Sequence, residues 1–170
     1  MNEELFWEII EESRTGLKTS DIDGNMEVQS ENLREKLESL TKGELEDFYK
    51  ISHELNIKAY RWDLWGAAYV IGGGCSDDSF MDFRSWLISM GKEVYYLGIN
   101  SPDDLVGPAT DPTVEDCFYE GFLYAIDEVY EEKFGQEIVL EIKYPSNPEG
   151  KDWDEDDLEK LFPKLSAKFD

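Results

Sequence analysis

The sequence predicts a predominantly all-α fold, a single-domain multi-helix bundle over residues 1–170, and three observations carry that expectation. Apolar side chains recur at three- and four-residue spacing through most of the chain, and capping residues stand in front of several of these stripes. Only one segment carries the β-branched alternation of a strand. A length of 170 residues suits one domain with one core, and chains of this size bury roughly 70% of the surface their unfolded form exposes.

Asn2 caps a first helix with Glu3 and Glu4 in its opening turn and Leu5, Phe6, Ile9 and Ile10 on one stripe, ending near Gly16. Residues 18–30, KTSDIDGNMEVQS, lack helical periodicity and read as a loop. Ser30 caps a second helix through Leu33, Leu37 and Leu40, and Thr41 with Glu44 forms a capping box ahead of Leu45, Phe48, Ser52 and Leu55. Over residues 60–72, Trp62, Trp65 and Tyr69 share one side, while Gly66, Ala67 and Ala68 let another helix come close. A further helix from Asp77 carries Phe80, Phe83, Leu87 and Met90 and stops at Gly91.

Ser101, Pro102, Asp103 and Asp104 have the order that starts a short helix: cap, proline at the first position, then two acids facing the dipole. Residues 113–135 predict a longer one that buries Phe118, Phe122, Ala125, Ile126 and Val129. The tail from Trp153 is an acid-capped amphipathic helix with Leu158, Leu161 and Phe162, interrupted at Pro163. EIVLEIKY, residues 137–144, reads as a strand, but one strand makes no sheet. Residues 91–99 are its candidate partner in one short β hairpin, or are helical; both conformations stay open. The expected core includes Trp62, Trp65, Phe80, Phe83, Trp86 and Leu87.

Charge narrows the function. Forty acidic against sixteen basic side chains give a net −24, which repels nucleic-acid phosphates and anionic membranes, so no nucleic acid and no membrane is expected as a partner. Residues 101–170 hold twenty of the acids and only six basic groups, and form an acidic face. The opening MNEELFWEII has neither the basic region nor the apolar run of a signal peptide, which predicts a cytoplasmic protein. Cys75 and Cys117 have no C-x-x-C spacing, and His53 is the only histidine, so no zinc site, redox pair or cofactor is expected. His53 sits within an amphipathic helix as a surface or boundary residue, and a Cys75–His53 pair has no sequence signature around it.

YVIGGGCSDDSF, residues 69–80, has the parts of a phosphate loop without its lysine, and contains neither G-x-S-x-G nor G-x-G-x-x-G. The simpler reading ends one helix in the glycines and caps the next with Ser76. A functional alternative gathers Trp62, Asp63, Asp77, Asp78 and Arg84 at this corner, where three carboxylates could hold a hard cation unless Arg84 pairs with Asp77. No catalytic residue and no metal ligand is assigned.

FW-x-x-I at residues 6–10, WDLWGAAYVIGGGCSDDSFMDFRSWLISMG at 62–91, SPDDL at 101–105, FLYAIDEVYEEKFG at 122–135 and PEGKDWDEDDLEKLFPKL at 148–165 together resemble a bacterial domain of unknown function, the four-two-four-zero family. The family pattern includes Gly-x-Ser-Asp-Asp, here Gly74, Ser76, Asp77 and Asp78, and this chain departs from it in EVYYLGIN. The resemblance implies a stand-alone or modular cytoplasmic bacterial domain and carries over no catalytic residues. The leading functional expectation is a non-enzymatic, acidic protein-binding or regulatory module, immunity-like in its logic, whose partner is a basic protein. The competing one is a metal- or small-ligand-binding enzyme built on the Asp77, Asp78 and Arg84 corner.

Overall fold

Asn2 starts the first helix: in the computed structural model, which describes residues 1–169, its side-chain oxygen accepts from the Leu5 amide at 2.9 Å. Helix α1 (Glu3–Ser13) buries Phe6, Trp7, Ile9 and Ile10. Helix α2 (Asn25–Glu38) begins five residues before the expected Ser30. Its start is fixed from a distance, because the Glu115 carboxylate accepts from Gly24 N at 3.0 Å and Met26 N at 2.8 Å. The capping residue is therefore ninety residues away in sequence, where local reading could not find it. Helix α3 (Lys42–Lys58) has the expected Thr41–Glu44 capping box and buries Leu45, Phe48, Ser52 and Leu55.

Helix α4 (Trp62–Gly72) ends at Gly73, whose φ of 65° is left-handed, and Gly74 follows at φ 130°. A Cβ would strain both positions, so the triple glycine is first a chain reversal. Ser76 then caps α5 (Asp77–Ser89), accepting from the Ser79 amide, and α5 is the central element, packed on α1, α3, α4 and on α6 (Lys92–Asn100). Phe80, Phe83, Trp86 and Leu87 are buried, as expected, whereas Trp62 and Trp65 are only partly so.

The hairpin is not formed. Residues 92–100 are helical, and 137–144 form no regular secondary structure and have no β partner; among the described residues the one β bridge joins Arg61 to Glu149. Tyr95, fully buried, donates to the Leu55 carbonyl at 2.6 Å and fixes α6 in place. The long helix expected over 113–135 is also shorter. Asp111 and Asp116 accept from the amides two residues ahead, holding the chain in turns, and Gly121 at φ 80° leads into one 3-10 turn and α8 (Ala125–Phe134). Such Asp-centred turns compete with helix propagation.

Pro102–Leu105 form a 3-10 turn leading into α7 (Val106–Ala109), but Ser101 makes no side-chain cap. Asp103 instead accepts from the Lys164 and Leu165 amides, tying the C-terminal pair α9 (Leu158–Leu161) and α10 (Pro163–Phe169) to this turn. Helix α10 lies against α4, and the ring of Phe162 sits where a Cβ on Gly66 would be, 2.6 Å from that ideal position. Gly66, Ala67 and Ala68 thus allow the close approach that their sizes suggested.

Candidate functional site

A cleft of about 500 Å³ lies between α3, α5 and the segments around Gly121 and Tyr144. Its floor is made of the buried residues Ser52, Asn56, Arg84 and Ser85. Its rim carries Met81, Tyr124 and Tyr144, three of the eight large apolar or aromatic side chains left exposed among the described residues. Concave apolar walls with a few convergent polar groups are the usual form of a small-molecule site.

Arg84 is the unusual member. It lies on the buried stripe of α5, four residues after Phe80 and three before Leu87, so its side chain turns inward. It is 5% exposed. Its guanidinium carbon stands 4.7 Å from the ring centroids of both Tyr60 and Phe80, Nη1 donates to the Asn56 carbonyl at 3.2 Å and Nε to the Phe80 carbonyl at 3.3 Å. Taking a cation out of water costs several kcal/mol, and two cation–π contacts at about 0.5–2 kcal/mol each with two charged hydrogen bonds at about 1.5–3 kcal/mol each offset it. Nη2 nevertheless has no hydrogen-bond partner among the described residues, and it is not sealed from solvent. Burial pushes the guanidinium down to about 10, so it stays charged at neutral pH.

The ion pair expected between Arg84 and Asp77 does not form. Two helical turns separate the residues, and Asp77 remains exposed in the first turn of α5, at the edge of the cleft. Asp78, also exposed, does not line the cleft. Asp63 pairs with Arg61 at 3.1 Å and belongs to a different hollow, beside Trp153. Trp62 stacks on Trp65 with centroids 5.3 Å apart, while its carbonyl accepts from Trp153 Nε1 at 2.6 Å, a packing role at the foot of α4. Of the five candidates, the cleft brings together Arg84 and Asp77. Among the described residues no three His, Cys, Asp or Glu side chains converge to hold a metal ion.

Sequence reasoning missed the other cleft groups. His53, ring to ring with Tyr49 at 4.2 Å, meets the Tyr144 hydroxyl at Nδ1, and burial lowers its pKa. Asp82 and Asp127 also line the cleft. Burial, then neighbouring carboxylates, raises both: Glu120, Asp78 and Asp116 for Asp82, Glu128 and Glu137 for Asp127. Cys75 is not paired with His53; its thiol donates to the Ser76 carbonyl, and burial pushes it up to about 12, as it does Cys117.

The sequence matches the family model described as a protein of unknown function, DUF4240, over residues 1–132. The chain belongs to the DUF4240 family. The match covers the cleft residues through Asp127, and ends before the segment that brings Tyr144 and before PEGKDWDEDDLEKLFPKL. No curated protein and no solved structure matches the chain. Within this DUF4240 chain, the Gly-x-Ser-Asp-Asp motif is accounted for as a left-handed glycine reversal followed by a helix cap.

Proposed function

We propose that the protein is a small-molecule-binding module of the bacterial cytoplasm, and that its cleft over Arg84 is the binding site. The carrying observation is a buried guanidinium with open donors at the floor of a cleft of about 500 Å³. Among the described residues, no carboxylate pairs with it. Two protonated, unpaired thiols and a single histidine tied to Tyr144 weigh against nucleophilic catalysis and favour binding. Free thiols also suit a reducing compartment. No helix of the described residues is long and apolar enough to cross a membrane.

A thermal-shift screen of a small-molecule fragment library against wild type and Arg84→Met tests the reading. A compound at 100 times its dissociation constant adds about 2.7 kcal/mol of stability. Compounds that raise the wild-type melting temperature but not that of Arg84→Met support it, and a screen without any such compound refutes it.

A second reading, engagement of a basic protein, draws on the acid run at residues 152–159. Among the described residues, none of Asp152, Asp154, Glu155, Asp156, Asp157 and Glu159 has an ion-pair partner. Charge complementarity would speed such association, whereas nucleic acid and anionic membranes would be repelled. Capture of a single basic protein that is lost at high salt would favour it.

A further inference from the structure

The cleft holds unpaired charges of both signs. Arg84 contributes open donors at the floor, and Asp77, Asp82 and Asp127 contribute carboxylates along the walls, yet no ion pair joins any of them to Arg84. A simple anion reaching Arg84 would pass three carboxylates, and a simple cation would come to rest over a guanidinium. A molecule carrying one anionic and one ammonium group escapes both penalties. The upward-shifted Asp82 and Asp127 are surrounded by other carboxylates and gain most from a neighbouring cation. Between the charged groups, Tyr60, Met81, Leu123 and Tyr124 offer an apolar wall.

We propose that the cleft recognises a zwitterion of the α-amino-acid class, with its carboxylate on Arg84, its ammonium toward Asp82 and Asp127, and an apolar side chain against Tyr60 and Tyr124. This rests on the ligand-binding reading above and adds the chemistry of the ligand. Guanidinium and carboxylate match in planar, bidentate geometry, and both open Nη2 donors and the remaining Nη1 donor are available for it.

The test uses the full chain and three kinds of probe in a thermal-shift and calorimetric series: L-phenylalanine, L-tryptophan, L-leucine and L-methionine; their deaminated acids; and their decarboxylated amines. At least one amino acid should bind, with each singly charged counterpart about tenfold weaker or more, the equivalent of one lost charged hydrogen bond. Arg84→Lys and Asp82→Asn should each weaken the amino acid by a similar factor, and Asp82→Asn, being on the wall, guards against an Arg84 variant that fails to fold. Equal binding of the deaminated acid or of the amine overturns the proposal, as does unchanged affinity in Asp82→Asn, Asp127→Asn and Arg84→Lys. If the fragment screen yields Arg84-dependent neutral ligands while all these probes fail, the binding site stands and the zwitterion falls. Failure of both sets removes both.

Discussion

Arg84 Nη1 donates to the carbonyl of Asn56 at 3.2 Å, joining the middle of α5 to the last turn of α3. That carbonyl is one of the four that a helix C-terminus leaves without an internal partner, and a cation there also complements the helix dipole. One side chain thus closes α3 and keeps donors facing the cleft.

Replacing Arg84 should therefore cost stability apart from any ligand. Arg84→Met leaves the Asn56 carbonyl without its donor and removes both cation–π contacts, a loss of about 2–4 kcal/mol that urea denaturation would read as a lower midpoint at unchanged slope. An unaltered midpoint would show that the bridge contributes nothing.

Glycine substitutions should have opposite signs at two helical positions. Gly66→Ala drives a methyl into the Phe162 ring and beside Trp153 Nε1, and overpacking of this kind costs about 1–3 kcal/mol. Gly43→Ala, in the first turn of α3 with nothing within 4 Å, should stabilise by about 0.5 kcal/mol through the unfolded chain. Melting temperatures of the two variants provide the check.

How much of this was legible follows from where each determinant lies. The Thr41–Glu44 box, the Asn2 and Ser76 caps and the left-handed Gly73 are local, so three or four neighbouring letters declare them. The start of α2 depends on Glu115, and the short α8 on Asp-centred turns, so periodicity alone misplaced both. Arg84 could be placed on the Phe80–Leu87 stripe from spacing, but its contacts with the Tyr60 ring and the Asn56 carbonyl come from tertiary packing. His53 and Tyr144 are ninety-one residues apart, and neither has a sequence context that announces the other.

Residues 137–144 illustrate a pattern without its partner. The alternation is real, with Ile138 and Ile142 half-buried and Val139 92% exposed, but the backbone amides of 136–144 make no hydrogen bond among the described residues. Hydrogen exchange should find these amides near their intrinsic rates while those of α5 are protected, since unbonded exposed amides open at almost no cost. Protection of 137–144 comparable to α5 would mean that a strand partner exists.

Stability should carry a histidine signature. Burial holds the folded His53 pKa below its ordinary value of about 6.5, so the unfolded chain binds that proton more readily. Stability is lost from this group as pH falls through that value toward the lowered folded one. Asp82 and Asp127, raised in the folded state, act in the opposite direction, with stability gained as pH falls through their raised values toward the ordinary carboxylate range. The difference between wild type and His53→Gln isolates the imidazole: relative to the variant, wild type should lose stability between pH 7 and pH 5 in urea titrations (about two pH units around the ordinary value). A constant difference would place His53 in an environment like water.

The most direct test of the cleft as an amino-acid site is a two-dimensional ¹⁵N NMR spectrum of the labelled protein, with the Arg Nε–H region included, before and after adding a mixture of the twenty L-amino acids. The Nε–H signal of Arg84 and the amides of His53, Tyr60 and Ser85 should move together and stay still in Asp82→Asn at the same concentration. An unchanged spectrum, or shifts confined to the hollow beside Trp153 and Phe162, would contradict the account.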